Sequence, residues 1–158
     1  MARISENHHI DSCVILYHIL GPKESKIGRD CTSYIARIGN IYKGILSIPA
    51  LGEVVKRIFE DKKRNKEAFI ISLCELINGK NIEICGFKEN GSEYKLAPIL
   101  KNFKRNRLEP IDSLILACAI SHKANKLITT ESSIINAEIP KEHKKTEVKH
   151  PRDVINRN

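Results

Sequence analysis

The sequence predicts an α/β protein, a three-layer α/β/α sandwich around a central, mainly parallel sheet of four to five strands. Three observations carry this. Short Ile-rich runs alternate with longer segments of helical periodicity. The short runs lack the apolar–polar alternation of a half-solvated strand, as do strands covered on both faces. One helical segment, 113–123, is apolar nearly all round, which for a helix means burial against a sheet.

In chain order, residues 4–11 end in a short strand and a helix follows over 12–20. Gly21 and Pro22 stop it, one through a permissive backbone and the other through a missing N–H. A second helix spans 26–38, with Ile27, Cys31, Tyr34, Ile35 and Ile38 on one face, and ends at Gly39-Asn40. Residues 43–48 form a strand closed by Pro49. The helix after it covers 50–62, with Val54, Val55, Ile58 and Phe59 as its apolar stripe. Another helix covers 67–78, with Ile70, Leu73, Cys74 and Ile77 in register. The alternating segment 81–87 is a short strand ending at the Asn90-Gly91 turn signal. Residues 92–108 read as helical with poor patterning. Residues 126–130 (KLITT) form a buried strand. The tail supplies one more strand near 146–149 and a helical turn after Pro151.

Nothing divides the chain: it shows no repeat, linker or low-complexity segment, which predicts a single domain over 1–158. The longest uninterrupted apolar run, 114–120, is far too short to span a bilayer, so no membrane association is expected. The opening MARISENHHI lacks the apolar core of a signal peptide. Five cysteines (13, 31, 74, 85 and 118) include no CxxC pair, and segments such as SLCELI and LILACAI place them as reduced core residues. Together these predict a cytoplasmic protein. Ligands clustered at short zinc-binding spacing are not visible.

Lys and Arg number 27 against 19 Asp and Glu, a formal charge of +8. The excess concentrates in KRIFEDKKRNK (56–66), KNFKRNR (101–107) and KEHKKTEVKH (141–150). Solvated helix faces explain such runs by themselves. Beside carboxylates that hold a metal, they point to a phosphate backbone.

Four acids supply that condition: Asp11, Glu53, Asp112 and Glu131. Asp11 ends the first strand and Glu131 the fourth, Glu53 falls in the first turn of the helix after the second strand, and Asp112 opens the helix leading into the fourth. Ligands of parallel sheets bind beyond the carboxyl ends of the strands, so all four are expected along one edge. Each has an ordinary alternative reading, since carboxylates favour helix N-termini. Asp11 is harder to explain in that way, because an unpaired carboxylate after a buried strand would be driven neutral. Several carboxylates in one place cannot all ionise without a counter-ion. Oxygen donors with no His or Cys at chelating spacing suit Mg²⁺ or Mn²⁺ rather than zinc.

Other chemistries lack their residues. GPKESKIG (21–28) is missing the Lys-Ser/Thr of a phosphate-binding loop, and no GxSxG provides a nucleophile elbow. The six histidines (8, 9, 18, 122, 143 and 150) stand apart from any evident Cys or Ser partner. His18 and His122 fall in helices and read as solvated or satisfied side chains.

The segments IDSCVILYHI, IPALGEVVKRI, PIDSLILACAISHKANKLITTE and VKHPRDVI, in this order, resemble the PIN-domain ribonucleases, and among them the toxin-like VapC group. The likeness spans nearly the whole chain. Its most specific part is Asp112, the Ala-containing apolar helix after it, and the Leu-Ile-Thr-Thr-Glu strand end. The resemblance implies a metal-dependent endoribonuclease in which Asp11, Glu53 and Asp112 hold Mg²⁺ or Mn²⁺. Glu131, where the family usually has aspartate, would join them as a fourth ligand, and Thr129 would help place the attacking water. It also implies RNA as substrate, a homodimer, and an antitoxin protein as partner. Cys13 departs from the family's asparagine and is expected to replace its hydrogen bonds poorly. With Glu131, that departure motivates an alternative reading, a PIN-like module that binds RNA or protein without cleaving.

Overall fold

The computed structural model describes residues 6–86, 108–141 and 144–156. Five strands form one sheet: β1 (Glu6–Ile10), β2 (Tyr42–Ser47), β3 (Glu83–Cys85), β4 (Lys126–Ile128) and β5 (Glu147–Lys149). Their order is β3-β2-β1-β4-β5, and every pairing is parallel. Seven helices among the described residues flank it: α1 (Ser12–Ile19), α2 (Lys26–Arg37), α3 (Ile48–Glu60), α4 (Lys66–Gly79), α5 (Pro110–Ser121), α6 (Ser132–Ile135) and α7 (Pro151–Ile155). The α/β/α sandwich is as the sequence predicts, with a wholly parallel sheet in the described residues. None of their helices is long and apolar enough to cross a membrane. Asn90-Gly91, the basic run 101–107 and all of the helix expected over 92–108 except Leu108 lie outside the described residues.

The topology decides where a ligand can sit. The chain lays β2 and then β3 on one side of β1, and returns to place β4 and β5 on the other. Helical connections therefore diverge from the carboxyl ends of β1 and β4, leaving a crevice between them. The backbone N–H of Asp11 donates to the Ile128 carbonyl at 3.0 Å, so the first residue past β1 is tied to the last residue of β4.

β1 is polar in sequence yet central in the sheet, and its period of two explains how. His8 and Ile10 face one side and His9 the other. The His8 ring stacks on Tyr42 with centroids 4.2 Å apart. Its Nδ1 lies 3.1 Å from the Tyr34 hydroxyl and its Nε2 2.9 Å from Glu6, which also pairs with Lys126. Burial pushes the His8 imidazole down from its ordinary value, and the hydrogen bond to Glu6 opposes the shift. Gly44 keeps this layer thin: a Cβ there would come within 2.8 Å of Ile38 Cγ2 and 3.1 Å of Ile10 Cδ1. On the other face His9 stacks on His122, which follows α5. That helix buries Ile115, Leu116, Ala117, Cys118, Ala119 and Ile120, so its near-uniform apolarity reflects burial, as expected.

The structure revises several expected placements. α3 begins at Ile48, because Ser47 caps it by accepting from Ala50 N at 3.4 Å and Pro49 fits the first turn. Glu53 therefore stands in the second turn. Val54 and Ile58, four apart, form the buried line of α3, while Phe59, rotated a further 100° or so, is 57% exposed and carries Lys66 Nζ 5.8 Å from its ring centroid. Ile27, at the start of α2, is partly exposed, as is its expected companion stripe on α4, where only Leu73 is fully buried and Cys74 faces solvent. The other four thiols are buried and free.

Candidate active site

Asp11, Glu53, Asp112 and Glu131 line one cleft of about 700 Å³ beyond the carboxyl ends of β1 and β4. The four acids expected along one edge are thus brought together. They arrive from four elements. Asp11 caps α1, Glu53 projects from α3, Asp112 sits in the first turn of α5, and Glu131 caps α6. Glu131 caps without a side-chain hydrogen bond, which leaves its carboxylate available to the cleft.

Asp11 is 1% exposed and is held on every side. Its Oδ1 accepts from Ser12 N at 2.7 Å, and its Oδ2 accepts from Thr129 Oγ1 at 2.6 Å and from Cys13 Sγ at 3.1 Å. Ser12 Oγ lies 2.5 Å from Glu53 Oε2 and 3.3 Å from Asp11 Oδ1, so one hydroxyl links two of the acids. Thr129 is fully buried behind Asp11 and also accepts from Glu131 N at 3.0 Å. Its hydroxyl thus joins the Asp11 carboxylate to the backbone of Glu131.

Cys13 is bonded on two sides. Its thiol donates to Asp11 Oδ2 and its sulfur accepts from Thr130 N at 3.3 Å. It supplies one donor and one acceptor, as an amide would, through weaker sulfur bonds. Burial raises the Cys13 thiol well above its ordinary value, with the Asp11 charge adding to the shift, so it stays protonated and able to donate.

Electrostatics mark the cleft as short of positive charge. Burial raises Asp11 above the usual carboxylate range; the bonds from Thr129, Cys13 and Ser12 oppose the rise and the Glu53 charge adds to it. Asp112 is pushed up to about 6, first by burial and then by the charges of Asp11, Glu53, Glu131 and Glu109. Four carboxylates acting on one another through a protein cleft favour a cation between them. All donors are oxygens, which fits Mg²⁺ or Mn²⁺. The acids are spaced openly: among the described residues, ligand atoms from three residues lie mutually within 4.8 Å at His9, Cys85 and His122, outside this cleft. Such spacing suits an ion that keeps several of its waters, as Mg²⁺ does.

The cleft adds residues that sequence reasoning passed over. Glu109, immediately before Pro110, joins the acids. Lys56 and Arg57, from the first basic run, line the same cleft one turn along α3 from Glu53. Their signal was the spacing Glu53, Lys56, Arg57, which places a cation three and four residues from a candidate ligand on one helical surface.

These features together define a PIN-like three-layer α/β/α fold with an acidic cleft at its switch point. No family model matches the sequence, and no curated protein matches it. Solved structures do. One is a crystal structure of VapBC2 from Rickettsia felis bound to a DNA fragment from their promoter, matched at 17% identity and a TM-score of 0.66 over 91% of this chain and 98% of that one. Another is VapBC-1 from nontypeable Haemophilus influenzae, at 16% identity and a TM-score of 0.60 over 92% and 98%. At these identities the likeness is one of fold.

Proposed function

We propose that the chain is a cytoplasmic endoribonuclease that hydrolyses RNA phosphodiester bonds at a carboxylate-held Mg²⁺ or Mn²⁺ site. The observation that carries this is the convergence of Asp11, Glu53, Asp112 and Glu131 on one cleft, with Asp112 pushed up to about 6 by burial and then by the other acids. The fold shared with two VapBC structures supports a toxin role with an antitoxin protein as partner; a homodimer is proposed as the working state.

Asp11, Glu53 and Asp112 would hold the cation, with Glu131 at the exposed side. Bound there, Mg²⁺ or Mn²⁺ would neutralise charge on the attacked phosphate and make water a better nucleophile near neutral pH. The chain's own groups do the rest. Thr129 and Ser12 fix Asp11 and Glu53 in position before substrate arrives. Glu131 accepts a proton from the attacking water, which approaches in line and leaves a 5′-phosphate and a 3′-hydroxyl. Lys56 and Arg57 bind neighbouring phosphates of a single-stranded or structured RNA along the cleft.

The test is cleavage of RNA with and without Mn²⁺ by the full chain and by Asp11→Asn and Asp112→Asn. Metal-dependent cleavage lost in both variants is expected. Cleavage that survives both, or persists in chelator, would overturn the assignment. RNA bound tightly without metal and left intact would instead favour the non-cleaving module.

A further inference from the structure

A second group of ligands lies outside the acidic cleft. We propose that His9, Cys85 and His122 form a Zn²⁺ site that clamps the central strand, an edge strand and the end of the buried helix together. The ligand atoms of these three residues lie within 4.8 Å of one another. Cys85 Sγ is 3.9 Å from His9 Nε2 and 3.6 Å from His122 Nδ1. In tetrahedral zinc, a Zn–S bond of about 2.3 Å and a Zn–N bond of about 2.0 Å separate sulfur from nitrogen by about 3.5 Å. Two edges of that tetrahedron therefore exist in the folded chain to within a few tenths of an ångström.

His9 supplies an independent observation. Its ring is 1% exposed, and its Nδ1 has no hydrogen-bond partner, alone among buried side-chain nitrogens and oxygens of the described residues. Buried polar atoms in native proteins are paired in the large majority of cases, and an orphan calls for an explanation. Its Nε2 lies 3.9 Å from the Cys85 sulfur, too long for a strong bond. The Nε2 edge, which faces Cys85, is the one a cation would use, while the unpaired Nδ1 lies on the other edge of the ring.

The group has no short-spacing signature in the sequence. These ligands are 76 and 37 residues apart, and the parallel sheet assembles them. His9 and Cys85 share a sheet face across β2, since His9 pairs with Ile45, and Ser47 two residues on pairs with Cys85. His122 follows α5 and reaches the same face. Binding takes Cys85 as thiolate, with its proton released to solvent, and draws His122 Nδ1 out of its 2.8 Å bond to the Cys118 carbonyl. Nitrogen and sulfur donors select Zn²⁺ over Mg²⁺ and Mn²⁺, so the two sites sort cations by donor type. The proposal stands whether or not the chain cleaves RNA.

Cobalt(II) is the probe, added to the reduced full chain in excess Mg²⁺ so that the carboxylates are occupied. The expected result is one equivalent of Co²⁺ bound, with a near-ultraviolet thiolate-to-cobalt band and strong visible bands of a four-coordinate ion, all removed by Zn²⁺. Cys85→Ser should abolish the thiolate band. His122→Ala, at a half-buried helix end, should weaken Co²⁺ binding by more than about tenfold. Cys74→Ser, at an exposed thiol elsewhere on the surface, should leave the spectrum unchanged. A full chain without the thiolate band, or a band that survives Cys85→Ser, would overturn the site. If Cys85→Ser does not fold, His122→Ala decides alone, and unchanged affinity there overturns it.

Discussion

Thr129 Oγ1 donates to Asp11 Oδ2 across 2.6 Å, and the same oxygen accepts the backbone N–H of Glu131 at 3.0 Å. One hydroxyl thereby couples the side chain of the most buried acid of the cleft to the backbone of Glu131. It does so from the residue just past β4, across the switch point from the residue just past β1. The arrangement orders the Asp11 carboxylate and the backbone of Glu131 before any ligand arrives, and it makes Thr129 a positioning residue.

Thr129→Val keeps the shape and removes both bonds. A hydrogen bond to an ionised group is worth about 1.5–3 kcal/mol, so denaturant unfolding should show a loss of that order. RNA cleavage should fall with it, while Thr129→Ser should recover most of both. A valine variant as stable and as active as the parent would show that the bond does not hold Asp11.

Cys13 makes a graded series possible. It gives Asp11 a donor and takes one from Thr130, so Cys13→Asn offers the same pair of functions through oxygen and nitrogen. Cys13→Asn should retain or raise cleavage, whereas Cys13→Val, similar in volume and without either function, should lower it. The unfolding free energy of the valine variant should drop by about 1–2 kcal/mol through the unsatisfied partner groups. Equal rates for the two variants would remove Cys13 from the site.

Much of this was legible in the sequence because the fold writes itself in periodicity. The apolar runs of β2 and β4 and the all-apolar α5 each announce burial on both sides. The edge location of Asp11, Asp112 and Glu131 follows from strand ends. What stayed hidden depends on tertiary neighbours. β1 reads ENHHI, and nothing local says that Tyr34, Tyr42 and Lys126 will make His8 and Glu6 acceptable in a central strand. Phe59 carries an apolar signal yet sits on solvent, because the buried stripe of α3 runs through Ala50, Val54 and Ile58. The start of α3 was misplaced by two residues because Pro49 serves as a first-turn residue and not as a break. The His9, Cys85 and His122 group has no local signature at all.

The cations on the rim give a prediction about salt. Lys56 and Arg57 line the cleft, and both side chains are more than half exposed. Replacing both by Ala should weaken RNA binding and reduce the steepness of its salt dependence, since fewer phosphates are neutralised and fewer counterions released. Folding should be nearly unaffected, because exposed ion pairs such as those to Glu60 contribute little. Measurement of Kd at several salt concentrations separates the two effects. An unchanged slope would place the RNA path elsewhere on the surface.

The last prediction concerns pH and follows from Asp112. Its folded value near 6 lies above the ordinary 3.8, raised by burial and then by its acidic neighbours. The stability it contributes is therefore fully present below 3.8 and lost as pH rises through 6, because the unfolded chain gives up this proton more readily. Without added cation, the parent should lose stability relative to Asp112→Asn between pH 4 and about 7, and then run parallel to it. Mg²⁺ or Mn²⁺ acts in the opposite direction, since it favours the ionised carboxylate. The melting-temperature gain on adding Mn²⁺ should be small at about pH 5 and grow through pH 6 and above. In Asp112→Asn that pH dependence should flatten. A gain equally large at both ends in the parent would mean that the cation binds without Asp112, and the carboxylate assignment would then rest on Asp11 and Glu53 alone.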